Sequence, residues 1–418
     1  MTLTTPPPNQ WILGDKFDSV HPHLESIEKL WNLKWKFPCS KSLYPFHDGA
    51  FSDFAPIFET LIAKNIHSGY TDEYTQEFLP TASQLVSEGD ELSSSDSKQA
   101  SEIYLRACAV YRIARFPYIN SALKRQVYSD QKRTYLKAAA LWSCPIEDIS
   151  IPFTAATTSD SGAEIPIYLR LPATASTSTS APASAKISGE GVPVVLLLCG
   201  LDGHRPDNTT RSDEFLKRGW ASVIVDIPGT ADCPADRRDP RSAERLFGCV
   251  LEWIKDQPGL DEKRVVAWGL SAGGYNAVRL AHTHPTSLLG AIAQGAGTHH
   301  FFSRAWLSRA QNHEYPWNAL PALTEKFGYA DAEEFMEKAQ KTWSLVENRV
   351  VERGLGRCRL LLVNGMEDGL MPIEDSMLLF EYGSPKEARF VPGRLHMGYP
   401  EANGFVYPWM EQVMAAAL

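Results

Sequence analysis

The stretch Arg264-Val265-Val266-Ala267-Trp268-Gly269-Leu270-Ser271-Ala272-Gly273-Gly274-Tyr275-Asn276-Ala277-Val278-Arg279-Leu280-Ala281 decides the fold. Its first five residues are an apolar run of strand character, and the residues after Gly273 have helical composition. A serine therefore sits on a sharp strand-to-helix turn. Glycines two positions to either side suit that turn, because the backbone is crowded there and a Cβ would collide with strand or helix. The new helix's N-terminus directs free N–H groups at whatever the serine attacks. The arrangement is a nucleophile elbow.

An elbow needs a general base and an orienting acid, which the α/β-hydrolase fold supplies downstream in the order Ser, Asp or Glu, His. The apolar run Cys358-Arg359-Leu360-Leu361-Leu362-Val363 leads into Asn364-Gly365-Met366-Glu367-Asp368-Gly369. Asp368 is preferred over Glu367 as the acid because it lies closer to the following turn. The next strand-like run, Glu387-Ala388-Arg389-Phe390-Val391, leads into a loop holding His396, the only histidine after Asp368. The catalytic set expected is Ser271, Asp368 and His396. One oxyanion donor should be the backbone of Ala272. The second should come from the loop after Val194-Val195-Leu196-Leu197-Leu198, namely Cys199-Gly200-Leu201-Asp202-Gly203-His204. Leu201 is the first choice and Asp202 the alternative. Asp202 is also a candidate to touch substrate, although aspartate is a common turn former.

Composition narrows the class. A net charge of −9 argues against nucleic acid as a partner, since phosphate binding needs a concentrated basic surface. No run of 18 apolar residues appears, so no membrane span is expected. The opening residues lack signal-peptide character. Seven scattered cysteines without paired or metal-ligand spacing suit a reducing, cytoplasmic setting, with Cys199 and Cys249 read as buried thiols. No metal site and no cofactor are expected.

The chain divides near residue 149. Residues 1–148 carry helical signals, such as Glu102–Ala114 and Val127–Trp142, and read as a cap domain. Residues 149–418 carry strands alternating with helices, which means a doubly wound, mostly parallel eight-stranded sheet. Ile149–Phe153 and Ile165–Arg170 read as an antiparallel opening whose prolines suit edge positions. Residues 173–190 are a low-complexity stretch expected to form a mobile loop, and 299–347 a helical insertion over the site. The first fifty residues are rich in Trp11, Trp31, Trp35, Phe37, Tyr44 and Phe46. Most such aromatics pack a small domain; Tyr44, His47 and Asp48, in a turn rich in Pro and Gly, are the candidates to face substrate.

The longer motifs carry a resemblance. Trp11–Phe17, Trp35–Lys41, Tyr44–Gly49, Gly200–Gly203, Ile227–Asp236, Trp268–Gly274 and His396–Pro400 resemble the fungal yellowish-green-type polyketide hydrolases, which shorten heptaketide naphthopyrones to tetrahydroxynaphthalene for dihydroxynaphthalene melanin. More distantly, the layout is similar to bacterial C–C hydrolases of nicotine breakdown and to FrsA-like esterases, which share a helical domain ahead of the core. The resemblance implies an aromatic polyketide substrate, a catalytic set on Ser271, Asp368 and His396, and no cofactor. It leaves open two or four departing carbons, an esterase alternative, and association with endosomal or pigment-producing vesicles. Helical domains of this kind often mediate homodimers, an expectation by analogy. The insert after Pro172 departs from the family pattern and is expected to be harmless.

Overall fold

The computed structural model describes residues 11–173, 191–310, 312–383 and 385–416. Eight strands form one sheet in the order β1-β2-β4-β3-β5-β6-β7-β8. They are β1 (Ile146–Pro152), β2 (Glu164–Arg170), β3 (Val192–Leu198), β4 (Ala221–Val225), β5 (Leu260–Leu270), β6 (Gly290–Gln294), β7 (Arg359–Gly365) and β8 (Glu387–Val391). The β1–β2 and β2–β4 pairs are antiparallel and the remainder parallel. The fold is thus the α/β-hydrolase sheet expected from the elbow. One detail differs: β2 is an inner strand, not an edge. Pro166 is tolerated because its ladder with β4 starts only at Ile167.

The all-apolar strands follow from burial on both faces. Along β3, Val194, Leu196 and Leu198 join the larger core with Leu246, Phe247 and Val278. Val195 and Leu197 point the other way, toward Phe215 and Tyr407, Trp409 and Met410 of the C-terminal helix Asn403–Ala415. Each such side chain, fully buried, contributes about 1.5–3 kcal/mol. Because strands β3 to β8 run in parallel, their carboxyl ends gather on one side, where the loops bearing Ser271, Asp368 and His396 emerge.

Residues before β1 are helical. Helices Leu79–Leu92, Ser97–Ala114 and Ala122–Ala140 pack together, and Ser121 caps the last by accepting from the Lys124 N–H. That cap starts the helix five residues earlier than its apolar spacing suggested. A further helical segment runs from Ile27 to Ser40 with a π turn at Leu30–Trp35. Trp31 and Trp35 are buried there. Trp31 stacks on Phe58 at 4.3 Å, and Trp35 meets Trp317 edge-on at 5.1 Å. The segment between β6 and β7 is helical at Arg304–Ala310, Leu320–Lys326 and Ala332–Trp343. The low-complexity stretch falls, beyond Ala173, outside the described residues.

All seven cysteines are free thiols. Cys199 is fully buried, whereas Cys249 is only half-buried, because it lies off the inner face of helix Ser242–Asp256 and against Thr154. Among the described residues no helix is long and apolar enough to cross a membrane, and no cluster of His, Cys, Asp or Glu has metal-binding geometry.

Candidate active site

Ser271 follows β5 directly and holds the N-cap position of helix Ala272–Thr283 with φ 55° and ψ −119°, a conformation that costs an L-residue energy and persists only where its surroundings impose it. Those surroundings explain the flanking glycines. A Cβ on Gly269 would lie 2.1 Å from the Gly273 carbonyl oxygen, and one on Gly273 would lie 2.4 Å from that of Leu198 in β3. The Ser271 N–H donates to the Gln294 carbonyl at 2.7 Å, tying the elbow to the end of β6.

His396 arrives on the loop after β8 and Asp368 on the loop after β7. His396 Nε2 lies 2.8 Å from Ser271 Oγ, and His396 Nδ1 lies 2.8 Å from Asp368 Oδ2. The Asp368 carboxylate also accepts from Asn364 Nδ2 at 2.7 Å and from the N–H groups of Leu370 and Met371 at 2.8 and 2.9 Å. Burial alone would lower the imidazole pKa of His396, but Asp368, with Glu314 and Asp202 behind it, outweighs burial and raises it. Glu367 points elsewhere, paired with Lys16 at 2.7 Å near the surface.

Gln294 and Asn364 brace these loops. Gln294 receives the Trp268 indole N–H at 3.0 Å and donates to the Met397 carbonyl at 2.9 Å. Asn364 accepts the Met397 N–H at 2.9 Å. After β3, the Gly200–Gly203 turn closes with a 3.2 Å bond and passes against Ser271, whose Cβ lies 3.6 Å from where a Cβ on Gly200 would sit. Ala272 begins its helix, and no hydrogen bond among the described residues takes the N–H of either Ala272 or Leu201.

The remaining candidates separate. Tyr44 is half exposed and its hydroxyl donates to Asp202 at 2.7 Å; the Tyr315 hydroxyl lies near the same carboxylate. Burial pushes the Asp202 carboxyl above its ordinary range. His47 has both ring nitrogens engaged, Nε2 with the Asp207 carbonyl at 2.9 Å and Nδ1 with Arg112 at 3.2 Å. Asp48 lies 3.8 Å from the same guanidinium. His47 and Asp48 thus sit behind Tyr44, in a buried network. Its centre is Asp207, which accepts from Arg112 Nε at 2.8 Å, from Arg115, and from Gln131 Nε2 at 2.7 Å. Burial would raise the Asp207 carboxyl, but Arg115 and Arg112 hold it well below the usual carboxylate range. Arg115 also donates to the Asp202 carbonyl at 2.6 Å.

Sequence reading missed Arg112, Arg115, Glu314 and Tyr315. Two arginines inside the apolar run Ala109-Val110-Tyr111-Arg112-Ile113-Ala114-Arg115-Phe116 were a usable signal, since buried guanidiniums require carboxylate partners. Glu314 offered none.

Comparison with known proteins agrees with this architecture. Esterase FrsA from Yersinia pestis (strain Pestoides F) is 22% identical over 329 residues, covering 77% of this chain and 73% of the relative. Esterase FrsA from Yersinia pseudotuberculosis serotype O:3 (strain YPIII) matches to the same extent. Among solved structures, 2,6-dihydroxy-pseudo-oxynicotine hydrolase superposes with a TM-score of 0.64 at 18% identity, covering 88% of this chain and 93% of that one. Wild-type AbyA5 gives 0.62 at 18%, covering 87% and 97%. These likenesses establish the fold. The model of the esterase FrsA-like family matches residues 69–415, which takes in all eight strands, the elbow and the loops after β7 and β8, so this hydrolase belongs to the FrsA-like family.

Proposed function

We propose that the protein is a serine hydrolase that cleaves a carbon–carbon bond in the ketone side chain of an aromatic polyketide, a naphthopyrone yielding tetrahydroxynaphthalene for melanin pigment. The observation that carries the reading is the unbroken line of 2.8 Å contacts from Ser271 Oγ through His396 to Asp368. Ser271 adds to the side-chain ketone while His396 takes its proton, and Asp368 holds the ring tautomer and supports the imidazolium. The N–H groups of Ala272 and Leu201 hold the oxyanion. Collapse breaks the carbon–carbon bond and leaves its electron pair on the aromatic portion as an enolate, which the imidazolium protonates on carbon. Water, deprotonated by His396, then releases acetate or acetoacetate from the acyl-serine and restores Ser271. Protein, ketone and water supply every atom.

Residues 1–148 act as a cap over 149–418 in this reading, with 299–347 as a second cover. Tyr44 and Asp202 meet the substrate's hydroxyl or carbonyl groups, while His47 and Asp48 support that wall. The resemblance of the cap motifs to the polyketide hydrolases supports the carbon–carbon reaction. A second reading, a carboxylesterase acting on an aryl or polyketide ester, is supported by the esterase name of the FrsA relatives; its first steps are identical.

Incubation with a heptaketide naphthopyrone, followed by mass spectrometry, separates the two. Tetrahydroxynaphthalene with acetoacetate or acetate is the expected product. Unchanged naphthopyrone beside brisk aryl-ester cleavage would move the enzyme to the esterase class. S271A should lower turnover by roughly a million-fold while leaving binding intact; product from S271A at an undiminished rate would exclude the covalent route.

A further inference from the structure

A second buried carboxylate stands beside the catalytic set. Glu314, between helices Arg304–Ala310 and Leu320–Lys326, is 6% exposed. Its Oε1 accepts the backbone N–H of His396 at 2.7 Å, and its Oε2 accepts that of Gly369, next to Asp368, at 3.1 Å. One side chain thus bridges the histidine loop and the acid loop. Its own position is fixed by its neighbours. The His313 ring bonds the Phe17 carbonyl at 2.9 Å, the Tyr315 carbonyl bonds the His23 ring at 2.8 Å, and the Tyr315 hydroxyl donates to the Pro117 carbonyl at 3.1 Å.

We infer that Glu314 is a positioning residue, which holds the loops bearing His396 and Asp368 in register and adds negative charge behind the imidazole. The inference rests on the serine-hydrolase reading above. The Gly369 amide is buried and the His396 amide part-buried, and a carboxylate offers each of the two N–H groups an oxygen of its own. Glutamine in its place keeps one acceptor and turns an NH₂ toward the other amide.

The charge has a second consequence. Groups facing Glu314 are Asp368 and His396 from the two loops and Lys34 from the π turn, with His313 and Tyr315 flanking it and His21 and His23 beyond. Burial first, and then Asp368, push its carboxyl up to about 7, against the opposing pull of His396 and Lys34. Protonation near neutrality removes one acceptor and the negative charge together. The acid limb of the wild-type rate therefore falls more steeply than one proton requires.

The rate of covalent labelling by a fluorophosphonate, followed against pH, tests this without knowledge of the substrate. E314Q should label about tenfold more slowly, with its acid limb reduced to a single protonation, and E314A about a hundredfold more slowly. Thermal unfolding of E314Q, whose volume is unchanged, separates misfolding from misalignment. A folded E314Q with the wild-type rate and pH profile overturns the positioning role alone. If S271A labels as fast as wild type, or wild type does not label, the serine-hydrolase reading falls and this inference falls with it.

Discussion

The loops on the two sides of Ser271 are both fastened through buried carboxylates, by opposite means. After β3, Asp207 meets the guanidiniums of Arg112, in helix Ser97–Ala114 of the N-terminal region, and of Arg115, which caps that helix. Opposite charges cancel there. After β7 and β8, Asp368 and Glu314 accept mainly from amides, and negative charge accumulates around His396. The first clamp joins two parts of the chain and acts on stability. The second acts on the proton affinity of one imidazole, which is raised despite burial.

Removing the charge nearest the histidine should have the largest effect. D368N is expected to lower kcat by about 10⁴-fold. The wild-type acid limb should lie above the ordinary histidine value of about 6.5, because the base works only when neutral and its pKa is raised. Activity is then lost as pH falls through that raised value, and D368N should shift the limb downward. A D368N enzyme with an unshifted limb would erase the contrast between the clamps.

On the other side, R112A should cost about 1.5–3 kcal/mol in chemical denaturation, since the buried Asp207 loses one of its two guanidiniums and keeps Arg115. Asp207 is depressed in the fold, so its contribution is complete above the ordinary aspartate range, about pH 4, and is lost as acid carries the pH down through the folded value. An R112A protein of wild-type stability would show that the β3 loop does not depend on this clamp. Y44F, which removes the hydroxyl from Asp202, should raise KM by about tenfold at most with kcat held. A fall in kcat instead would place Tyr44 in the chemistry. E367Q should do least, changing stability by under about 1 kcal/mol and leaving turnover intact, because the Lys16 pair is exposed to solvent.

What the chain's local patterns reveal follows from range. Each strand is a run of adjacent apolar residues, and each loop bearing Ser271, Asp368 or His396 directly follows one, so spacing along the chain is enough to nominate them. Tyr44, His47 and Asp48 look alike on that scale. Only folding separates them: Arg112, 65 residues beyond His47, takes up His47 and Asp48 and leaves Tyr44 at the surface against Asp202. The half-buried Cys249 and the inner position of β2 were likewise outside the reach of local pattern.

Local pattern was enough to specify the sheet and the three residues brought to 2.8 Å contacts, because apolar periodicity and turn chemistry are written in neighbouring residues. Tertiary structure alone decided which charges meet. Glu314 finds its two amides 55 and 82 residues away, and a bond from a carboxylate to a backbone N–H leaves no trace in the identity of the residue that donates it.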